Sequence, residues 1–297
     1  MPAVNKEYKD RLFSFLFGNE ENKEWTLSLY NAVNGSDYKD AAEIQIKTIR
    51  EVLYLGMHND VSFQISDEIN LYEQQSSFNP NMPLRQMQYA GNVYERYVTE
   101  NKLNKYGKTL LSLPVPRLVT FYNGVDEQPD DMILKLSDSF PMGSNPDIEV
   151  TVRMININYG RNVELLAACK PLGEYSWLIH QVQENRKEME IEESVDRAIN
   201  EMPDDFLIKP FLNAHRSEVY GMLLVEYNEA EAMELFKEDG RREGWKEGRK
   251  EGRKEGRKEG IIETLVSLVQ DGILSIKDAA VRSNMTEESF AKLMEEK

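Results

Sequence analysis

The chain of 297 residues is long enough for one large domain or two smaller ones, and its 40% apolar content supplies a sizeable core, which excludes a disordered chain. A formal net charge of −16 argues against a phosphate-binding surface spread over the whole molecule. The single cysteine, Cys169, excludes an intramolecular disulfide and Cys-rich zinc sites. No apolar run approaches about 18 residues and the N-terminus is polar, so a soluble cytoplasmic protein with no membrane partner is expected.

Residues 7–17 place Leu12, Phe13, Leu16 and Phe17 at helical spacing, and Gly18 stops the run. Glu24 to Val33 reads as a second helix with Trp25, Leu29 and Val33 on one face and Asn34-Gly35 at its end. Ile44, Ile46 and Ile49, then Val52, Leu53 and Leu55, read as strand material before a turn at Gly56.

The most informative stretch runs from His58 to Ser76. Val61, Phe63 and Ile65 alternate with Asp60, Ser62 and Gln64; beyond Asp67-Glu68, Ile69, Leu71, Glu73 and Gln75 alternate with Asn70, Tyr72 and Gln74. A period of two predicts two antiparallel strands with one wet face. With the turn centred on Asp67-Glu68, Asp60 lies opposite Gln75 and Ser62 opposite Glu73. Asp60, Ser62, Gln64, Glu73 and Gln75 then share one face, while Val61, Phe63, Ile65 and Tyr72 face a core. Diagonal neighbours in such a ladder are about 7–8 Å apart, so Asp60 and Glu73 are placed to hold one divalent cation through oxygen ligands of the kind Mg²⁺ takes.

Pro83 suits the first turn of a helix whose apolar face is predicted to be Leu84, Met87, Ala90, Gly91, Tyr94 and Val98, with Arg85 and Arg96 polar. Leu118 to Tyr122 is a short strand closed by Asn123-Gly124, and Val150, Val152, Met154, Ile155 and Ile157 supply another. Helix, strands, helix, strand is the order of an α/β sandwich. From Asn162 the pattern turns helical: Val163 to Cys169, Tyr175 to Val182, Ser194 to Ile199, and His215 to Phe236. Cys169 beside Leu165 and Leu166 reads as buried filler, and His180 beside Trp177 and Ile179 as a packed histidine.

Residues 240–260 repeat Glu-Gly-Arg-Lys with period four. Each glycine costs roughly 1 kcal/mol relative to Ala in a helix, whereas each i,i+4 Glu–Arg/Lys pair returns about 0.2–0.5 kcal/mol. The segment is therefore a marginal helix or a flexible linker, read first as a solvated spacer and second as a DNA-phosphate tether, because it is the most basic part of the chain. In residues 261–297, Ile261, Ile262, Leu265, Leu268 and Val269 make an amphipathic helix closed by Asp271-Gly272. Ser275-x-x-Asp278 has the form of a capping box, and Thr286-Glu287-Glu288 opens a last helix carrying Phe290 and Leu293. Seven acids against four bases make this segment a packing or self-association element before a DNA reader.

An acid leading a strand, followed by a neighbouring strand with acid-x-polar, resembles the PD-(D/E)XK nuclease superfamily. More narrowly, the chain is similar to the recombination-promoting nuclease/putative transposase family of bacteria, whose second motif reads Glu-x-Gln, as Glu73-x-Gln75 does here. Asp10-Arg11-Leu12-Phe13, Phe17-Gly18, Asn79-Pro80-Asn81-Met82-Pro83, Val119-Thr120-Phe121-Tyr122-Asn123-Gly124 and the Glu-Gly-Arg-Lys repeats carry the resemblance, which spans most of residues 7–260.

The resemblance implies a restriction-endonuclease-like mixed sheet flanked by helices over residues 1–170. A helical extension over 171–239, the charged linker 240–260 and a small helical segment 261–297 follow. It further implies an endonuclease acting on DNA with Mg²⁺, or Mn²⁺ in its place, in the setting of recombination or mobile elements. Asp60 and Glu73 are its expected metal ligands, Asp10 a further acid directed at the site, and Gln75 the residue that positions water where most of the superfamily has Lys. The alternative is a nuclease-fold protein that has lost cleavage and associates with itself or a partner through its C-terminal helices.

Overall fold

The structure is a computed structural model and describes residues 12–47 and 60–295. Asp10 and the expected strand material from Ile49 to Leu55 lie outside the described residues. The chain divides into two compact units, residues 1–230 and 231–297.

The first unit begins with α1 (Leu12–Phe17) and α2 (Lys23–Asn34). Gly35, at a φ of 64°, closes α2 by donating its N–H to the Asn31 carbonyl, which is the end expected at Asn34-Gly35. Next come β1 (Gln45–Ile46), β2 (Val61–Ile65), β3 (Glu68–Gln75), α3 (Met82–Glu100), β4 (Val115–Tyr122), β5 (Asp131–Lys135) and β6 (Thr151–Asn156). The helical part holds α4 (Val163–Ala168), α5 (Lys170–Asn185), α6 (Ile191–Glu201) and α7 (Ile208–Ala214). A further helix, α8 (Arg216–Gln270), contains the boundary between the units.

The architecture is α/β: a six-stranded mixed sheet flanked by helices, with a helical C-terminal part. Strand order is β1-β2-β3-β4-β6-β5. The β1–β2, β2–β3 and β5–β6 pairs are antiparallel, and β3–β4 and β4–β6 are parallel. One face of the sheet presents Val61, Phe63, Tyr72, Val119, Phe121 and Ile155 to α1, α2 and α5, where the largest apolar cluster forms. A chain of edge-on and tilted aromatic contacts runs through it: Phe63–Tyr72 at 5.2 Å, Tyr72–Phe121 at 5.3 Å and Phe13–Phe121 at 5.2 Å.

The other face is covered by α3, and here two expectations change. The expected wet face of the hairpin is buried, because β3 is a central strand with a crossover helix packed over it. The buried side of α3 is Met82, Gln86, Tyr89 and Val93, while Leu84 and Gly91 of the expected apolar stripe are exposed. An apolar stripe read from residue type leaves out Gln86, although it is fully buried. That amide instead sits over the polar middle of the sheet face, between an apolar cluster of Met82, Tyr122, Leu134, Val152 and Met154 and a second of Ile69, Leu71, Tyr89 and Val93.

In the second unit, α9 (Ile276–Ser283) starts from the expected capping box: Ser275 Oγ accepts from the Asp278 N–H at 3.2 Å. The last helix, α10 (Glu287–Glu295), is capped by Thr286, and a small core of Leu265, Val266, Ala279, Ala280 and Phe290 joins these helices to the end of α8. Residues 240–260, open between marginal helix and linker, are helical. Among the described residues no helix is long and apolar enough to cross a membrane.

The turn after β4 is sterically tight, since a Cβ on Gly124 would sit 2.1 Å from the Ser76 carbonyl oxygen and 2.7 Å from the Tyr122 hydroxyl. Gly124→Ala is expected to cost roughly 3 kcal/mol, lowering the melting temperature by about 6–12 °C. Gly35→Ala meets open space and only the positive φ, and is expected to cost about 1 kcal/mol. Thermal unfolding of the two variants checks the contrast, and equal losses would contradict it.

Candidate functional site

The β2–β3 hairpin turns at Ser66-Asp67, with a positive φ of 49° at Ser66, the first turn position, as primed hairpin turns require. Val61 pairs with Tyr72 and Ser62 with Leu71, so β3 is shifted by two residues from the expected register, in which Ser62 faced Glu73. The turn forms one residue earlier because Glu68 belongs to the strand. Its carboxylate accepts from the Tyr30 hydroxyl at 2.9 Å and from Arg117 Nε at 2.8 Å. A shift of two preserves the pleat, so the face carrying Ser62, Glu73 and Gln75 is the one expected.

Asp60 stands immediately before β2 and is held from two directions. Its carbonyl accepts from Ser14 Oγ at 2.5 Å, and its Oδ2 accepts from the backbone N–H of Gln74 at 2.7 Å. The second bond ties the acid to the strand position next to Glu73. Glu73 is 1% exposed and Gln75 6%. Gln75 Nε2 donates to Glu73 Oε1 at 2.9 Å, and the Arg85 guanidinium, from the first turns of α3, forms an ion pair with the same oxygen. Arg85 also donates to the Tyr89 hydroxyl at 3.1 Å. Thr120, level with Glu73 on β4, and Gln86 complete a polar layer under α3.

Burial foremost, and then the negative charge of Glu73, push the Tyr89 hydroxyl above its ordinary pKa; Arg85 opposes this and Asp60 adds to it. The geometry that brings the acids together is the hydrogen bond from the Gln74 N–H to Asp60 Oδ2, which holds Asp60 at the strand position next to Glu73. The acids share this place with Gln75 and Arg85. Asp10 lies outside the described residues. Arg85, expected only as a polar residue of the helix, is the functional candidate absent from the sequence-predicted site. The available signal was topological: a helix that follows a strand directly presents its first turn to that strand's carboxyl end, where Glu73 and Gln75 stand.

The donors assembled here are two carboxylates and an amide, all oxygen ligands, the set Mg²⁺ takes together with water and substrate oxygens. Among the described residues no group of three His, Cys, Asp or Glu comes together; the donors a metal would draw on here are the Asp60–Glu73 pair with Gln75. That pair fits a Mg²⁺ held by one or two carboxylates. Cys169 is buried in the apolar cluster, and desolvation pushes its thiol up to about 11, which leaves it a packing residue as expected. No protein-family model, curated protein or solved structure matches this chain.

Arg85→Ala removes the guanidinium from a carboxylate that is 1% exposed, and is expected to destabilise the first unit by roughly 3 kcal/mol. Adding Glu73→Gln to that variant is expected to restore most of the loss in urea unfolding. The same loss in single and double variants would show that the ion pair does not hold α3 to the sheet.

Proposed function

We propose that the chain is a metal-dependent DNA endonuclease of the PD-(D/E)XK type, akin to the recombination-promoting nuclease/putative transposase family that its motifs resemble. The observation that carries this reading is the hydrogen bond from the Gln74 N–H to the Asp60 carboxylate, which holds Asp60 beside the Glu73 position, with Gln75 bonded to Glu73. The α/β sheet with its hairpin, crossover helix and parallel strand supports it, and so does the placement of the acids toward the carboxyl ends of β3 and β4, where α/β sheets bind ligands.

Hydrolysis of a phosphodiester requires an activated water and relief of the charge that builds on phosphorus. A divalent ion held by Asp60 and Glu73 would supply both, by polarising the phosphate and lowering the pKa of a bound water. The other tasks fall to the chain itself. Gln75 uses its Nε2 on Glu73, which leaves its Oε1 to accept a hydrogen bond from the attacking water. An amide does not titrate, so Gln75 orients the water and takes no proton. Slow turnover follows, since the proton goes to solvent or to a substrate phosphate oxygen. Arg85, a planar donor at the edge of the buried layer and 30% exposed, is placed to grip nonbridging phosphate oxygens. Its present partner, Glu73 Oε1, keeps it aimed into the site.

The test is nicking of supercoiled plasmid in Mg²⁺ or Mn²⁺ by the full chain beside Glu73→Ala. Nicking by the wild type, reduced at least about a hundredfold in the variant, is the expected result. Equal nicking by both would assign it to a contaminant, and none by either folded protein would turn the reading to the non-catalytic interaction protein.

A further inference from the structure

A second polar concavity opens at the same ends of the parallel strands, on the face of the sheet opposite α3. It is a cavity of about 390 Å³ between the residues after β4 and β6 and the side of α5. Its wall is continuous with the motif: Asn123 donates its backbone N–H to the Gln75 carbonyl at 3.0 Å, and Gln74 Nε2 donates to Asn123 Oδ1. Asn158, which donates Nδ2 to the Gly124 carbonyl at 2.9 Å, braces the loop on the other side. The floor is apolar, from Ile157 and Ile179.

Three features decide what such a cavity takes. Tyr159 and His180 line it as a parallel stacked pair, with centroids 5.1 Å apart and planes 16° apart, and Tyr159 is 54% exposed, so its ring offers area to a further planar group. Ser176, also in the lining, is 2% exposed. Among the described residues its hydroxyl has no hydrogen-bond partner, and a buried hydroxyl in that state is costly until a ligand or water satisfies it. The charges at the rim are already paired, Lys187 Nζ donating to both Glu184 carboxylate oxygens at 2.6 and 2.7 Å. An anion is thus poorly served, while a flat neutral ring with a hydrogen-bonding edge finds a stacking partner, an apolar floor and polar groups at its perimeter.

We propose that this cavity binds a nucleobase, stacked on the Tyr159–His180 pair with its polar edge toward Ser176. Resting on the nuclease reading, the base belongs to the DNA strand whose phosphate lies at Glu73 and Gln75, turned out of its stack over the sheet edge. Such an enzyme would prefer unpaired or distorted DNA, where extrusion costs least. A free nucleoside offers the same chemistry, and the test separates the two sources.

The test is fluorescence titration of the full chain, with chelator present to prevent cleavage, against two probes: the free deoxyriboside of 2-aminopurine, and a single-stranded oligonucleotide carrying one 2-aminopurine. Quenching of the oligonucleotide probe is expected, with affinity lowered about tenfold by Tyr159→Ala, a surface change. Ser176→Ala is expected to weaken binding without lowering the melting temperature, which a merely structural hydroxyl would not do. Quenching of the oligonucleotide alone assigns the site to a base in a strand, and quenching of both probes to any nucleobase. No quenching of either probe, or quenching unchanged by Tyr159→Ala, would overturn the proposal. Tyr159-dependent quenching in a protein that nicks no plasmid would leave the cavity standing and remove the nuclease reading; nicking without such quenching would do the reverse.

Discussion

Glu73 carries a carboxylate into a layer between sheet and helix where water has almost no access, and a charge there is tolerated only with a counter-charge and hydrogen bonds around it. Arg85 supplies the charge and Gln75 a hydrogen bond, both on the same oxygen. This constraint reaches outward. It fixes where α3 starts, because Arg85 must fall in its first turns, and it explains why Gln86 and Thr120 are buried beside apolar neighbours. A buried ion pair adds little net stability compared with apolar residues of the same volume. On the proposed function, its presence beside an apolar core maintains a site as well as tying α3 to the sheet.

The second constraint is the hydrogen bond from the Gln74 N–H to the Asp60 carboxylate. It brings an acid that precedes β2 alongside the acid of β3, and Ser14 at α1 steadies the Asp60 backbone from the other side. Three segments of the chain thus meet at one residue, Asp60. From that point the parallel strands β3 and β4 carry the structure to their common carboxyl ends. There the polar layer under α3 and the cavity beside α5 sit on opposite faces of one edge, joined through Gln74, Gln75 and Asn123.

Much of this was legible in the residue order. The alternation through Val61–Ile65 and Ile69–Gln75 identifies both strands and both faces, and a capping glycine ends α2 where expected. The hairpin register was two residues off because the turn is decided by Glu68, whose partners Tyr30 and Arg117 come from distant segments. The burial of the Glu73 face was hidden for a related reason, since polar residues in alternation look solvated until a helix is packed over them. The short edge strand β5 escaped because only Met132 and Leu134 of its five residues alternate toward the core. Arg85 carried no signal of its own; its importance comes from where α3 begins relative to β3.

The proposed activity requires Asp60 and Glu73 to act together as ligands for one divalent ion. Calorimetric titration of Mn²⁺ into the full chain, beside Asp60→Asn, tests that most directly. One saturable site in the wild type, lost or weakened about tenfold or more in the variant, is the predicted result. Heats of dilution alone from the wild type, or the same isotherm from both proteins, would contradict it.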